Sequence, residues 1–408
     1  MRKAALWMTY LYFFICPLEF IFNRWFGSSV KYIALVAALF IIMFFIITPK
    51  QTMKFGPIQI CIGGWALFEA ASYLWTIHSK NTLSMLITYL MMAVLVVALS
   101  VFPFEKKELE GTLIAYTLGC LILSILVLVM FQIDAGSYFS RNTIVILGKP
   151  QDPNGLAATL LSGAFFSLYM IFKKQKTFPI FNILYFIIWG IISYAIFLTG
   201  SRGALIAYVA AFTVFFVILS PKKSRLIVFL SIPLALLIIY FILELFLPTN
   251  LFNRLFDFES YSGGSGRTKI WLTALRKILT NPLFGFGVLS HQGFFLNQNG
   301  HILSMHNTFL FILFEVGIVG LSLFVTPFVK ALHNALRHKN ALIITIITAN
   351  IAAAFFLDAL NWRYLWNSMI FGIIFYNCCK AEEISSSKAA PTAASLTKDK
   401  EQKPAKYF

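Results

Sequence analysis

Arg202 lies in a tight turn that joins two long apolar segments. The turn reads Thr199-Gly200-Ser201-Arg202-Gly203 and leaves almost no loop between them. The guanidinium is therefore held where a helix begins, beside backbone N–H groups that attract anions. Planar, bidentate donors suit phosphate oxygens. We interpret Arg202 and Ser201 as a phosphate-binding turn; the alternative is an arginine that snorkels to lipid headgroups.

A second arginine, Arg267, follows the Gly-Gly-Ser-Gly run at 263–266. The apolar residues of 268–272 have helical spacing, which predicts a short helix lying on the membrane. A glycine-rich stretch before a helix is a weak phosphate signal, so the arginine carries the interpretation. Together with Arg202, it would close a clamp on a diphosphate. The other cations of this stretch are interpreted as headgroup contacts: Lys269, Arg276 and Lys277.

His306, followed by Asn307, stands where another apolar segment starts. The dipole at a helix N-terminus disfavours the protonated imidazole, so a neutral His306 would be able to accept a proton. The alternative is an amphipathic anchor at the membrane interface. His291 and His301 are the other histidines of this region, but their spacing is not that of metal ligands. We predict no metal.

Further polar residues border the same apolar segments. Asp152 and Pro153 predict a capped helix start, and the next residue, Asn154, is a candidate contact for a polar substrate. The loop before them adds Arg141 and Lys149 as candidates, and Arg363 opens the last apolar segment.

Apolar segments dominate the chain and predict an all-α integral membrane protein. Of the 408 residues, 59% are hydrophobic and 12% are charged, which no soluble domain would solvate. Segments long enough to cross about 30 Å of hydrocarbon recur twelve times. They lie at 5–22, 31–48, 57–77, 82–102, 110–131, 154–172, 180–199, 203–219, 226–246, 306–330, 341–357 and 363–379.

The formal net charge of +17 is concentrated in alternate short loops between these segments. The positive-inside rule assigns those loops, and both termini, to the cytoplasm. This distribution argues against nucleic acid as a partner. Arg202, Arg267 and His306 then fall on the outward side. The predicted division is transmembrane helices 1–9 in 1–246, a large outward loop with short amphipathic helices in 247–305, helices 10–12 in 306–380 and a disordered cytoplasmic tail in 381–408.

An intramembrane carboxylate, Glu315, precedes Gly317 and Gly320 in the tenth apolar segment. These glycines permit close helix approach, so Glu315 is expected to form a hydrogen bond with a neighbouring helix. Glu69 and Glu244 are further intramembrane carboxylates, and they keep a proton-coupled transporter open as a hypothesis.

Taken in order, these motifs resemble the O-antigen ligase and polymerase family of bacterial envelope glycosyltransferases. The resemblance rests on five motifs, and the layout of twelve apolar segments extends it over nearly the whole chain. The motifs are Asp152-Pro153-Asn154-Gly155-Leu156-Ala157, Gly200-Ser201-Arg202-Gly203, Gly266-Arg267 with Trp271, Gly285-Phe286-Gly287, and His306-Asn307 followed by Glu315-Val316-Gly317-Ile318-Val319-Gly320.

The resemblance implies a GT-C-like membrane glycosyltransferase that uses neither a nucleotide sugar nor a metal and needs no cofactor. Its donor would be O-antigen linked to undecaprenyl diphosphate. Its acceptor would be lipid A-core oligosaccharide, at the periplasmic face of the inner membrane. The essential family arginines would fall on Arg202 and Arg267, the essential histidine on His306, and a family aspartate on Asp358, whose local match is weak.

Alternatives remain at this point. An O-antigen polymerase of the same family joins lipid-linked repeats to one another, but polymerases often have two substantial outer loops, and 132–153 is short for that role. Ligases that glycosylate proteins are usually longer than this chain. A lipid-linked oligosaccharide flippase or other transporter would also have about twelve spans, although its functional charges are expected near the middle of the membrane.

Overall fold

The computed structural model describes residues 1–26, 29–49, 51–77, 82–130, 145–146, 149–173, 179–256, 267–295 and 304–393. Sixteen α-helices account for most of these residues. They are α1 Arg2–Ile15, α2 Glu19–Phe26, α3 Ser29–Ile47, α4 Pro57–Ser72, α5 Thr82–Val101, α6 Lys106–Val129, α7 Pro153–Phe172, α8 Pro179–Leu198, α9 Arg202–Leu219, α10 Arg225–Phe246, α11 Thr249–Phe256, α12 Arg267–Ile278, α13 Ser290–Phe294, α14 Thr308–Arg337, α15 Ala341–Ala354 and α16 Arg363–Ala393.

Each of the twelve predicted apolar segments overlaps a helix. Within the described residues, nine stretches are long and apolar enough to cross a membrane, by length and composition. The helices outside this set are α4 with 16 residues, α15 with 14, and α16, together with the short helices between spans. The prediction of a helical, multi-pass membrane protein is confirmed, and the count of twelve crossings stays a prediction.

The helices differ sharply in how much of their surface the protein covers. Inside the fold, 83% of the apolar window of α7 is buried, whereas only 6% of that of α10 is. Most of the α10 side chains left exposed are leucine, isoleucine and phenylalanine, although Ser231, Pro233 and Glu244 are also exposed, and only a lipid environment tolerates an apolar surface of such a length. The centre of the bundle is therefore α7 with its neighbours α15 and α16, and α10 lies at its periphery.

Ion pairs gather several cationic loops at one end of the bundle. Arg2 pairs with Glu108 at 2.6 Å, and Lys106, at the start of α6, pairs with Glu382 at 2.6 Å. Arg2 at the start of α1 and Glu382 in α16 thus lie at the same end, as an even number of crossings requires. We call this the cationic end; its assignment to the cytoplasm stays a prediction.

The end of α16 differs from the prediction. The sequence predicts disorder from 381, but α16 continues to Ala393. Ion pairs hold its extension at the cationic end, since Glu382 binds Lys106 and Glu383 lies 3.5 Å from Arg337. Residues 394–408 lie outside the described part of the chain.

The described loop before α7 contains a short antiparallel ladder, β1 Val145–Ile146 and β2 Lys149–Pro150, in which Ile146 pairs with Lys149. It leads directly to the start of α7, at the end of the bundle opposite the cationic end.

Candidate active site

The starts of α7 and α9 are joined by a side-chain hydrogen bond. Asp152 caps α7, because its Oδ1 atom accepts the backbone N–H of Asn154 at 3.0 Å, which confirms the predicted cap. Ser201 caps α9 by accepting the N–H of Ala204 at 3.3 Å. The same Ser201 hydroxyl donates to Oδ1 of Asn154 at 2.7 Å. Two predicted site residues that are 47 positions apart in sequence are therefore in direct contact.

Arg202 is the first residue of α9, after a turn in which Gly200 has a φ of +60°. Its Nε atom donates to the backbone carbonyl of Arg254 in α11 at 2.6 Å. The Arg254 side chain lies over the turn, since a Cβ atom on Gly200 would stand 3.3 Å from its Cδ atom. Two guanidinium-bearing side chains thus border one turn at a helix start, an arrangement that favours an anion.

His306 lies in a turn before α14 and adopts a left-handed backbone conformation, with a φ of +48°. Asn307 caps the helix, its Oδ1 atom accepting the N–H groups of Phe309 and Leu310 at 3.1 Å each. The sequence placed His306 and Asn307 at the start of an apolar segment, but it did not predict the strained conformation of His306.

Asp358, in the connection between α15 and α16, accepts two hydrogen bonds from the turn that contains His306. Its Oδ1 atom accepts the backbone N–H of Asn307 at 3.3 Å, and its Oδ2 atom accepts the hydroxyl of Ser304. Next to it, the hydroxyl of Thr308 donates to the carbonyl of Leu357 at 2.6 Å. Both carboxylate oxygens of Asp358 therefore bind the turn that carries the candidate base.

The helix that carries Arg267 docks on this same turn. Arg267 is the first residue of α12, and the indole N–H of Trp271, one turn later, donates to the carbonyl of Met305 at 2.7 Å. Ala274 is fully buried further along α12, which packs against α14. The hydrogen bond between Trp271 and Met305 therefore links the start of α12, which carries Arg267, to the turn that carries His306.

Two glycines, at the starts of α7 and α9, leave room for the 355–362 connection to pack against these helices. A Cβ atom on Gly155 would come within 2.6 Å of the Trp362 ring, and one on Gly203 within 2.6 Å of Cβ of Phe356. The missing side chains let this connection pack directly on α7 and α9. Because Asp358 lies between these two contacts, one connection touches the starts of α7, α9 and α14.

A wedge formed by Gly285-Phe286-Gly287 interrupts α14 behind the site. Gly317 leaves the helical conformation with a φ of +62°, while Phe286 donates its N–H to the Phe314 carbonyl at 3.0 Å. The N–H of Gly287 donates to the Glu315 carbonyl at 2.8 Å. The apolar segment predicted at 306–330 lies within a stretch long and apolar enough to cross a membrane, but its break was not predicted, because it arises where the backbone of 282–287 takes over hydrogen bonds of the helix.

Glu315 bonds to the start of the short helix α13, which follows this wedge. Its Oε1 atom accepts the N–H of Leu289 at 2.5 Å and lies 3.1 Å from Nδ1 of His291. We expected a partner on a neighbouring helix, and Glu315 does interact with Glu69 of α4; its Oε1 atom also contacts Leu289 and His291, at the start of the short helix α13. His291 is 5% exposed, and burial lowers its pKa to about 4, so its imidazole is neutral near pH 7.

The remaining predicted site residues lie elsewhere. Arg363 is 7% exposed and forms a salt bridge with Glu19 at the start of α2, apart from the contacts around Asp358. The backbone of Lys149 lies in β2, and Arg141 lies outside the described residues. Within the described residues, no three histidine, cysteine, aspartate or glutamate side chains form a group able to hold a metal, and His301 lies outside that part of the chain.

Two residues that shape the site escaped the sequence reasoning. Arg254 was not predicted as a site residue, although the amphipathic pattern of 249–256, directly after Pro248, is a usable signal for its short helix. Ser304 carries no local signal, because its role depends on Asp358, 54 residues away.

The fold and this site define a multi-pass helical membrane protein whose polar site is built from helix starts at one end of the bundle. Residues 184–325 match the family model described as O-antigen ligase. The chain is also 26% identical to a Pseudomonas aeruginosa protein named O-antigen ligase, over 71% of this chain and 68% of that protein. The resemblance carried by the motifs is confirmed: the chain contains a region that matches the O-antigen ligase family model, and it is similar over most of its length to a protein named O-antigen ligase.

Proposed function

We propose that this protein is an O-antigen ligase of the bacterial inner membrane, with its site on the periplasmic face. It would transfer a glycan polymer from undecaprenyl diphosphate to a sugar hydroxyl of lipid A-core oligosaccharide. One observation carries the proposal: the 355–362 connection contacts the helix starts that bear Asn154, Arg202 and the His306 turn. The helix start with Arg202, suited to binding a diphosphate, and the His306 turn, suited to accepting a hydroxyl proton, thus both contact the same connection.

The donor diphosphate would bind between Arg202 and Arg267. Each arginine is the first residue of a helix, so backbone N–H groups of α9 and α12 add to the positive potential. As the glycosidic bond breaks, negative charge grows on the phosphate oxygen that leaves. Prearranged cationic donors stabilise that charge more strongly than they stabilise the bound substrate.

The acceptor hydroxyl would approach His306. Its oxygen attacks the anomeric carbon as the bond from that carbon to the diphosphate oxygen breaks, and its proton passes to the imidazole. Undecaprenyl diphosphate leaves with the electron pair of the broken bond. Direct displacement inverts the anomeric centre and requires no covalent enzyme intermediate and no metal. Asp358 would act by holding the turn, since both its carboxylate oxygens bind it.

A ligase is favoured over a polymerase by two observations. The outward loop at 132–153 is short for a second substrate site, and the named relative is itself an O-antigen ligase. A flippase is disfavoured because the candidate residues gather at one end of the helices, whereas transporters place theirs near the middle of the membrane.

Purified variants test the chemistry. Arg202→Ala, Arg267→Ala and His306→Ala should each lower transfer at least about a hundredfold, as the loss of one charge-stabilising or proton-accepting group does. Arg276→Ala is the matched control, because Arg276 is an exposed cation about two and a half turns further along α12. Full activity in the three variants would refute the site.

Gel analysis of surface glycans in a deletion strain tests the identity of the reaction. We expect core lipid without polymer, together with accumulated lipid-linked polymer. Core that carries a single repeat would instead identify a polymerase, and loss of all external glycan would identify a flippase.

A further inference from the structure

A cavity lies at the cationic end of the bundle, away from the candidate active site. It has a volume of about 390 Å³ and opens between the start of α4, the end of α5 and the second halves of α14 and α16. Its size falls within the range of about 300–1,000 Å³ that is usual for small-molecule sites. Lys330 lies 22 residues after the start of α14, so the cavity is roughly 30 Å from the His306 turn.

The charged residues that line the cavity, among those the structure describes, are all basic. Lys54, Lys330 and Lys380 line it, and none of its described lining residues is acidic. Nearby carboxylates are engaged by other cations: Glu108 pairs with Arg2, Glu382 with Lys106, and Glu383 with Arg337. Among the described residues, the three lysines have no carboxylate within ion-pair distance.

A smaller neighbouring cavity shows that this imbalance is not general at this end of the bundle. That cavity, of about 160 Å³, is lined by Lys106 and Lys173. Both lysines are paired, Lys106 with Glu382 at 2.6 Å and Lys173 with Glu110 at 2.7 Å. Its charges are therefore balanced within the protein, and it has no comparable attraction for an anion.

One part of the lining of the larger cavity is apolar, and another part consists of polar groups joined by hydrogen bonds. Phe45, Ile58 and Val101 contribute apolar walls. Gln59 donates to the Ser100 hydroxyl at 3.1 Å, and Asn377 donates to the Ser100 carbonyl at 2.5 Å. Such a site combines cations with an apolar surface at the boundary of the spans. Snorkelling explains a single lysine at a membrane boundary, but not three around one cavity without a carboxylate.

We propose that this cavity binds an anionic phospholipid, with its phosphodiester headgroup between Lys54, Lys330 and Lys380 and its acyl chains along the apolar walls. Basic pockets between membrane helices on the cytoplasmic side are suited to acidic lipid headgroups. The bound lipid joins α4, α5, α14 and α16 at the end opposite the candidate active site. The assignment does not depend on the proposed transfer reaction.

Native mass spectrometry of the detergent-purified protein tests the proposal, with dioleoyl phosphatidylglycerol as the anionic probe and dioleoyl phosphatidylcholine as the zwitterionic one. The unaltered protein should retain phosphatidylglycerol in preference to phosphatidylcholine, and millimolar inorganic phosphate should not displace it. Replacement of Lys54, Lys330 and Lys380 by Gln should weaken retention about a hundredfold, since each lysine near an anionic lipid contributes on the order of a fivefold effect.

The matched control replaces Lys107, Lys222 and Lys223 by Gln. It changes the net charge equally at exposed positions outside the cavity, so its retention should equal that of the unaltered protein. Equal retention by the cavity variant would overturn the proposal, and so would displacement by inorganic phosphate.

A second measurement requires no substitution. A photoreactive phosphatidylglycerol should cross-link to Phe55 or Ile384, which line the cavity and are exposed at its mouth. Cross-links confined to the exposed face of α10 would instead show nonspecific annular lipid and overturn the assignment.

Discussion

The hydroxyl of Ser201 donates to Oδ1 of Asn154 at 2.7 Å and thereby ties the start of α9, where Arg202 lies, to the start of α7. The same hydroxyl accepts the N–H of Ala204, so one side chain both caps its helix and joins it to another. The position of the guanidinium in the turn therefore depends on a contact made outside α9.

Ser201→Ala and Asn154→Ala should each reduce transfer about fivefold, because a net hydrogen-bond contribution near 1 kcal/mol is lost from the Arg202 turn. Since the two residues act through one bond, the double variant should be no worse than the poorer single variant. Initial rates of the four proteins measure this coupling. Ser201→Thr is the control, since it keeps the hydroxyl, and strictly additive losses would contradict the prediction.

Asp358→Ala should lower the turnover of the enzyme by about ten- to a hundredfold. The variant leaves the Ser304 hydroxyl and the Asn307 N–H without their acceptor, at a cost of about 1–3 kcal/mol, and releases the His306 turn. A positioning role predicts a fall in kcat with little change in KM. Steady-state kinetics distinguish this from direct substrate binding, which would raise KM instead. Asp152→Ala, which removes only a helix cap, is the comparison.

Trp271→Phe should reduce transfer several-fold while the protein remains folded. The ring is kept, but the indole N–H no longer binds the Met305 carbonyl, so the start of α12 with Arg267 loses about 1 kcal/mol of positioning. Rates at low donor concentration report the loss. Trp7→Phe, at an indole that is 70% exposed, is the control and should be silent. Equal rates for both variants would argue against the docking of α12.

Gly155→Ala and Gly203→Ala should each destabilise the protein by about 1–3 kcal/mol, because the new methyl group overlaps Trp362 or Phe356. Gly190→Ala is matched to them: it also lies in a membrane helix, but among the described residues no atom beyond its chain neighbours and its own helix backbone lies within 4 Å of the place that its new methyl group would take. Thermal unfolding in detergent, followed by intrinsic fluorescence, measures the differences. A Gly190 variant as unstable as the other two would show that helix glycines in general, and not this packing, are responsible.

The protein should lose stability as the pH falls from about 6.5 towards 4. Burial lowers the pKa of His291 to about 4 in the fold, whereas the unfolded chain binds a proton near pH 6.5. Between these values only the unfolded state is protonated, so acid favours unfolding, by on the order of 2 kcal/mol between pH 6.5 and 5. Unfolding midpoints at several pH values test this. His291→Gln should flatten the dependence over that window, and an unchanged slope would exclude His291 as its source.

Local features of the fold and the site followed from local sequence. Asp152, Ser201 and Asn307 precede apolar segments, and all three cap the helices that follow. A cap involves only atoms within about three residues, so its signal is contained in the sequence around it. The same holds for the apolar segments, because their lipid environment demands a long hydrophobic run in each helix.

The break in α14 shows where such reasoning fails. The run Val316-Gly317-Ile318-Val319-Gly320 has the composition of a close-packed membrane helix. The backbone there instead bonds to the segment around Pro282, Phe286 and Gly287. Hydrogen bonds of that kind depend on a segment roughly 30 residues earlier in the chain, which no helical periodicity encodes.

By itself, the sequence determined which residues stand at helix starts, since caps, charges and apolar runs act over a few neighbouring positions. Only the tertiary structure decided that these starts meet. The Ser201–Asn154 bond spans 47 residues and the Asn307–Asp358 bond spans 51, and Asp358 belongs to the connection that packs against Gly155 and Gly203. Their physical basis is the fit of distant surfaces, which exists only after the helices have packed.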